Sequence, residues 1–185
     1  MAEALDLLLR RRSIRSFTAN QITDDAVQLI LQAGLHAATA MNRQSWHITV
    51  VQNRQLLNEI DAAVAAVLVD SQVPSLVQRG SSVDFSVFHH APTVFFVSSD
   101  GSDYSLADCA NACQNMCLAS AALGLGSCYI GSFVQAFDHS SGAALINRFP
   151  LPDGYRPVFA VAVGYAVDGE PLFEKQRDWK VSYIR

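Results

Sequence analysis

Apolar residues follow two rhythms along this chain. Val27, Ile30, Gly34 and Ala37 recur at helical spacing. Thr23, Asp24 and Asp25 precede them, a cap followed by acids that suit the positive end of the helix dipole. Leu57, Ile60, Val64 and Val67 repeat the pattern behind Asn53, a second capping residue. Further helices are predicted over 2–10, about 105–123, and 138–148. Asp103, Asp108 and Asp138 are read as caps or first-turn acids. The other rhythm is the short β-branched and aromatic run: WHITVVQ at 46–52, TVFFVS at 93–98 and PVFAVAVG at 157–164. Between the helix near 60 and the strand near 95, residues 70–90 mix Pro74, Gly80 and several serines, which predicts a mobile loop or lid beside a site. Residues 168–185 have no clear period and predict an extended C-terminal arm. Helices outnumber strands and no repeat appears. The pattern therefore predicts one domain over 1–185, α+β or three-layer α/β, around a small sheet.

Composition adds two constraints. Half of the 185 residues are hydrophobic and only 16% are charged. So apolar a chain is economical if part of its surface is lost to a partner, and a homodimer is expected. The formal net charge is -4, which argues against a nucleic-acid partner, whose binders usually present a basic face. Between Asp108 and Asp138 no Asp, Glu, Lys or Arg occurs. Asn111, Gln114 and Asn115 interrupt the first part of that run and Gly124, Gly126 and Gly131 the second. It reads as a buried helix followed by a buried extended segment, not as a membrane span. The start MAEALDLLLRRR places its charges after the apolar run, unlike a secretory signal. With four cysteines and no disulfide pattern, this predicts a reducing, cytoplasmic setting. Cys109, Cys113 and Cys117 fall on one helix face but lack the tight pairs of a zinc site, so they are read with Cys128 as core residues and no metal is expected.

Three stretches carry candidate chemistry. The first is LLLRRRSIRSF, residues 7–17, which gathers Arg10, Arg11, Arg12 and Arg15 in an acidic protein. A helix C-terminus accounts for Arg10 and Arg11. It does not readily account for Arg12 and Arg15, which run on into a turn. Of the Lys and Arg residues between 55 and 147 only Arg79 is present, while Lys175, Arg177, Lys180 and Arg185 lie at the far end. If the two ends meet, they form an anion site suited to phosphate. The second stretch is ATAMNRQSW, residues 38–46, where Thr39, Asn42 and Gln44 sit between a helix and a strand. They are either helix-capping groups or the edge contacts of a planar heterocycle. The third is LGLGSCYIGSF, residues 123–133, whose glycines allow close backbone approach but do not form a dinucleotide fingerprint. His89 and His90 precede Ala91 and Pro92, and are read as a loop or helix-end pair before any metal or proton role.

Taken in order, RRSIRSF, ATAMNRQSWHITVV, LADCANACQNMCLASAALGLGSCYIG and PVFAVAVGY resemble the nitroreductase family of flavin enzymes. The resemblance implies a three-layer α/β/α domain with a small mixed sheet. It implies FMN held at a homodimer interface and NADH or NADPH as the reductant. By position, Arg11, Arg12 and Ser13 would serve the phosphate and ribityl chain. Arg15 would lie at the N1 edge of the ring and tune it. Lys175 and Arg177 would add a second hand on the phosphate. Ala38, Thr39, Ala40 and Asn42 would reach the flavin from the other subunit. Ile130, Gly131 and Ser132 would place donors near N5. The acceptor would be a nitroaromatic or quinone, with no obligatory side-chain acid or base. Related flavin reactions, reductive dehalogenation or breakdown of the flavin, and a non-catalytic flavin-binding dimer remain alternatives. A colourless helical interaction protein is the alternative outside flavin chemistry. The family commonly has Pro-Ser at Ala38-Thr39 and Gln-Pro-Trp at Gln44-Ser45-Trp46. Without those prolines a looser turn is expected here.

Overall fold

The computed structural model describes residues 3–169, 178 and 180–185. Its centre is a four-stranded sheet ordered β1-β2-β4-β3, built from β1 (Trp46–Val51), β2 (Thr93–Ser99), β3 (Gly126–Ile130) and β4 (Arg156–Gly164). Every neighbouring pair is antiparallel. The expected mixed sheet is thus corrected. β2 and β3 point the same way, but β4 returns between them and separates them, so no parallel pair forms.

Alternate residues of the two central strands enter different cores. Val94 and Phe96 of β2, with Ala160 and Ala162 of β4, join Leu57, Ile60, Val64, Phe88 and Phe133 on one face. Phe95 and Val97, with Val161 and Val163, join Ile30, Cys109, Cys113, Met116 and Cys117 on the other. The first core is roofed by α3 (Arg54–Val69), the second by α2 (Asp24–Leu35) and α5 (Ser105–Ala122). This is the three-layer α/β/α arrangement expected. Phe88, Phe96, Phe133, Phe137 and Phe149 pack mostly edge-to-face, with centroids 5.0–5.9 Å apart, and fill the α3 side.

The caps sit where the sequence predicts them. The Thr23 hydroxyl accepts from the Ala26 N–H at the start of α2, and the Asn53 side chain from the Leu56 N–H at the start of α3. α5 ends at Gly124, which adopts φ 72°. There the Leu125 N–H donates to Ser120 O and the Gly124 N–H to Ala121 O, a Schellman closure.

Two expectations change. Residues 70–90 contain α4 (Pro74–Gly80) rather than a free loop. Proline at the first turn opens this helix, and Gly80 lets it lie against α3, since a Cβ there would sit 2.7 Å from both Ala65 O and Leu68 Cβ. The region 138–148 is a short 3₁₀ turn over Ala143–Arg148, and Asp138 pairs with Arg156 instead of capping a helix start.

The arginine stretch is tied to the sheet edge. α1 (Glu3–Arg10) ends at its first arginine; the Ile14 N–H donates to Ser127 O, and Phe17 bridges to Ala166. Ile14 covers Gly126 so closely that a Cβ on that glycine would lie 2.9 Å from Ile14 Cγ2 and 3.0 Å from its Cβ. Gly126→Ala should therefore cost about 1–3 kcal/mol by overpacking, read as a lower urea midpoint with an unchanged slope. Ile14→Ala in the same chain should recover part of that loss. An unchanged midpoint in Gly126→Ala would show that the stretch is not fixed at this point.

Candidate functional site

Arg11 and Arg12 line one open cavity of about 270 Å³, together with Leu7, Arg10, Ile14, Ala121, Leu125 and Ser127. Three guanidinium groups thus meet an apolar floor formed where α1 crosses the end of α5 and the start of β3. They are not equivalent. Arg10 pairs with Asp6 one helical turn back. Arg12 Nη1 donates to the carbonyls of Leu9, Arg10 and Arg11 at 2.9–3.0 Å, closing the end of α1. Arg12 therefore does the helix-ending work first assigned to Arg10 and Arg11. Arg11 lies close enough to Cys117 for its charge to favour the thiolate, although burial dominates and raises that thiol.

Arg15 points to a different neighbourhood. Its charge acts on His89, which is held down to about 4 by burial first, then by Arg15, Arg79 and His90. Both His89 and His90 adopt left-handed backbone, with φ 56° and 57°. His90 reaches the carboxylate of Asp84 at 3.1 Å. The turn that carries them is held by Asp61, a buried carboxylate on α3 that accepts from the Val87 N–H at 2.8 Å. Burial raises its pKa above the usual range, against the lowering effect of the Ser86 and backbone hydrogen bonds. Nothing in the spacing of Asp61 marked it, because its partner lies 26 residues away.

Residues 38–44 form the most strained segment. Met41, Asn42 and Gln44 all have positive φ, 52–54°, without being glycine. Four side-chain hydrogen bonds hold the segment. Asp108 Oδ1 accepts from the Ala40 N–H at 3.0 Å, and Asn111 Nδ2 donates to Ala38 O at 3.1 Å. Within the segment the Gln44 N–H donates to Thr39 Oγ1 and Gln44 Nε2 to Asn42 Oδ1, both at 3.3 Å. Side chains from α5 brace the segment where prolines are absent. Asn42 caps no helix; His36 ends α2.

Ile130 ends β3, with Gly131 and Ser132 exposed just beyond. Neither this corner nor residues 38–42 line the arginine cavity. Ser13 is half-buried between the arginines. Lys175 and Arg177 lie outside the described residues. All four cysteines are buried, and burial pushes the Cys109 thiol up to about 12. Burial raises Cys113 and Cys117 as well, and these three thiols are poor nucleophiles or ligands in that state. Among the described residues no group of three His, Cys, Asp or Glu is placed to hold a metal ion, and no described helix is long and apolar enough to cross a membrane.

Residues 8–165 match the model of the nitroreductase family. The chain belongs to that family. It is similar to a putative NADH dehydrogenase/NAD(P)H nitroreductase of Archaeoglobus fulgidus, with 26% identity over 94% of this chain and 91% of that protein. It is 31% identical to an NADPH-flavin oxidoreductase of Vibrio harveyi, over 89% of this chain and 66% of that longer protein. A nitroreductase with bound FMN from Bacteroides fragilis superposes with a TM-score of 0.91 at 31% identity, with all of both chains covered.

The site makes one electrostatic prediction of its own. A histidine whose folded pKa is lowered stays neutral at pH 7, and its contribution to stability is lost as pH falls from about 6.5 toward 4. An NMR titration of the cofactor-free protein should give His89 a midpoint near 4. Arg15→Ala should raise that midpoint, because one of the repelling cations is gone. A midpoint that does not move would separate Arg15 from His89.

Proposed function

We propose that this nitroreductase-family chain is an FMN-dependent oxidoreductase that takes a hydride from NADH or NADPH and delivers electrons to a nitroaromatic or quinone acceptor in a ping-pong cycle. The observation that carries the reading is the arginine cavity beside β3, in a fold that matches an FMN-bound nitroreductase from end to end. The donor set fits a nucleotide-like flavin. Guanidinium groups suit a phosphate, the Ser13 and Thr39 hydroxyls suit a polyhydroxyl chain, and exposed main chain at Gly131 and Ser132 suits the edge of a planar ring. From Ser127 to Ser132 the chain advances roughly 16 Å if extended, a length on the scale of such a cofactor.

FMN supplies the two-electron chemistry. Arg11, with Lys175 and Arg177, neutralises the phosphate. Arg12 serves it too, through the guanidinium edge its Nη1 leaves free. Arg15 places a fixed positive charge where negative charge develops on the ring. A neutral His89 beside Arg15 avoids adding a second charge there. No side chain of the site is assigned an obligatory proton.

The reading includes a homodimer, in which Ala38, Thr39, Ala40 and Asn42 meet the partner's flavin. Support comes from large apolar side chains left in solvent on the helical side: Leu5, Leu8 and Leu9 on α1, Leu29 and Leu35 on α2, Leu106 on α5, and Met41 at 72% exposure. A cytoplasmic setting agrees with a sequence of four cysteines that shows no disulfide pattern.

The purified protein should be a yellow dimer with one FMN per subunit. Replacing Arg11 and Arg177 together should strip the cofactor, since each charge-assisted phosphate contact is worth about 1.5–3 kcal/mol. Flavin absorbance and sedimentation on one sample check both halves. A double variant with full flavin, or a monomer that retains FMN at micromolar concentration, sinks the corresponding part.

Arg15→Ala should instead keep most of the FMN and lower its two-electron potential by roughly 20–65 mV, taking 1–3 kcal/mol for the lost cation. Arg15→Lys should recover part of the shift. Potentiometric titration at fixed pH decides. Loss of FMN with an unchanged potential would move Arg15 to the phosphate.

A further inference from the structure

α5 presents Asp108, Asn111 and Asn115 at spacings of three and four, one polar strip beside the helix face that Cys109, Cys113, Met116 and Cys117 give to the core. All three spend that polarity on the same neighbour. Asn115 Nδ2 donates to Ala33 O at 3.0 Å, Asn111 to Ala38 O, and Asp108 accepts from the Ala40 N–H. The strip thus follows the chain from the last turns of α2 into the strained segment. Asn111 and Asp108 both hold main chain inside that segment, and Asp108 does so at Ala40, next to the left-handed residues.

Asp108 is an expensive choice for this task. It is 2% exposed, and its Oδ2 has no hydrogen-bond partner among the described residues. The first turn of α5 offsets part of the charge through the helix dipole. A half-partnered buried carboxylate is still a poor way to add stability. What it does is hold the amide of Ala40 immediately before Met41, Asn42 and Gln44 enter the left-handed region.

We propose that Asp108 is the positioning residue of the flavin-facing segment: by fixing the main chain of Ala40 it sets where Thr39 and Asn42 present their side chains across the dimer. This rests on the reading that residues 38–42 meet the flavin. Asp108 touches no reacting atom in this role.

The test uses reconstituted dimer and two readouts: FMN affinity from quenching of flavin fluorescence, and hydrogen exchange at the Ala40 amide. Asp108→Ala should speed that exchange and weaken FMN about tenfold, or about 1.4 kcal/mol. Asp108→Asn should stay near wild type in both, since its amide oxygen can still accept from Ala40. A merely structural carboxylate would lower the urea midpoint in the alanine variant and leave the FMN affinity of the folded protein unchanged. That result overturns the proposal, as does faster exchange at Ala40 with unaltered affinity. If Asp108→Ala does not fold, Asn111→Ala serves. Asn111 is exposed, and loss of its tie to Ala38 should weaken FMN about threefold; unchanged affinity there also overturns the proposal. Failure of the Arg11 and Arg177 pair to release FMN would instead remove the cofactor site itself, whatever Asp108 does.

Discussion

The structure depends on a sheet whose central strands are dry on both faces. All of β2 from Thr93 to Ser99 is buried, and Ala160 to Val163 of β4 are fully enclosed. Alternation then cannot separate a wet face from a dry one, so both faces need helices. α3 covers one and the α2–α5 pair the other. With both faces closed, polar chemistry is left to the sheet edges and the ends of helices. The arginine cavity lies at the β3 edge, the strained segment at the end of α2, and the histidine turn before β2.

That constraint also governs the charge-free run from 109 to 137. Cys109, Ala112, Cys113, Met116, Cys117 and Ser120 face the α2 side of the sheet, and Cys128, Ile130, Phe133, Ala136 and Phe137 are buried as well. Burial within one chain explains the missing charges, so the run by itself does not call for a partner. The proposed dimer rests instead on the apolar side chains that the fold leaves exposed on the outside of the helices. The close approach of α5 to α2 rests on Gly34, where a Cβ would sit 2.9 Å from Met116 Cγ.

Much of this was legible in order of locality. Thr23 and Asn53 reveal helix starts because a cap and its partner are three residues apart. The strands at 46–52, 93–98 and 157–164 stand out because buried runs need little context. β3 was legible only as extended and buried, since GSCYI contains a glycine required by Ile14, a contact from far along the chain. The antiparallel order was not legible, because it depends on where β4 inserts. α4 was missed although Pro74 and Gly80 are proper start and stop signals; seven residues are too few to establish a helical period. Asp61 and Asp108 could be read as polar residues on helices, but their partners at Val87 and Ala40 are 26 and 68 residues away.

The arginine stretch shows how one motif can satisfy two demands. A short helix such as α1 buries none of its residues and needs help at its C-terminus. Arg12 gives that help through Nη1, which meets three carbonyls at once. A guanidinium has five donors in a rigid fork, so the remaining edge stays available to an anion in the cavity. Lysine could cap the helix or meet the anion as a point charge, but it lacks the fork that does both. Spacing then separates the roles. Arg11 and Arg12 face the cavity, Ile14 anchors the stretch over Gly126, and Arg15, beyond the anchor, turns toward His89. The tetrapeptide from Arg12 to Arg15 therefore divides its charge between two places because its one apolar residue is pinned to the sheet.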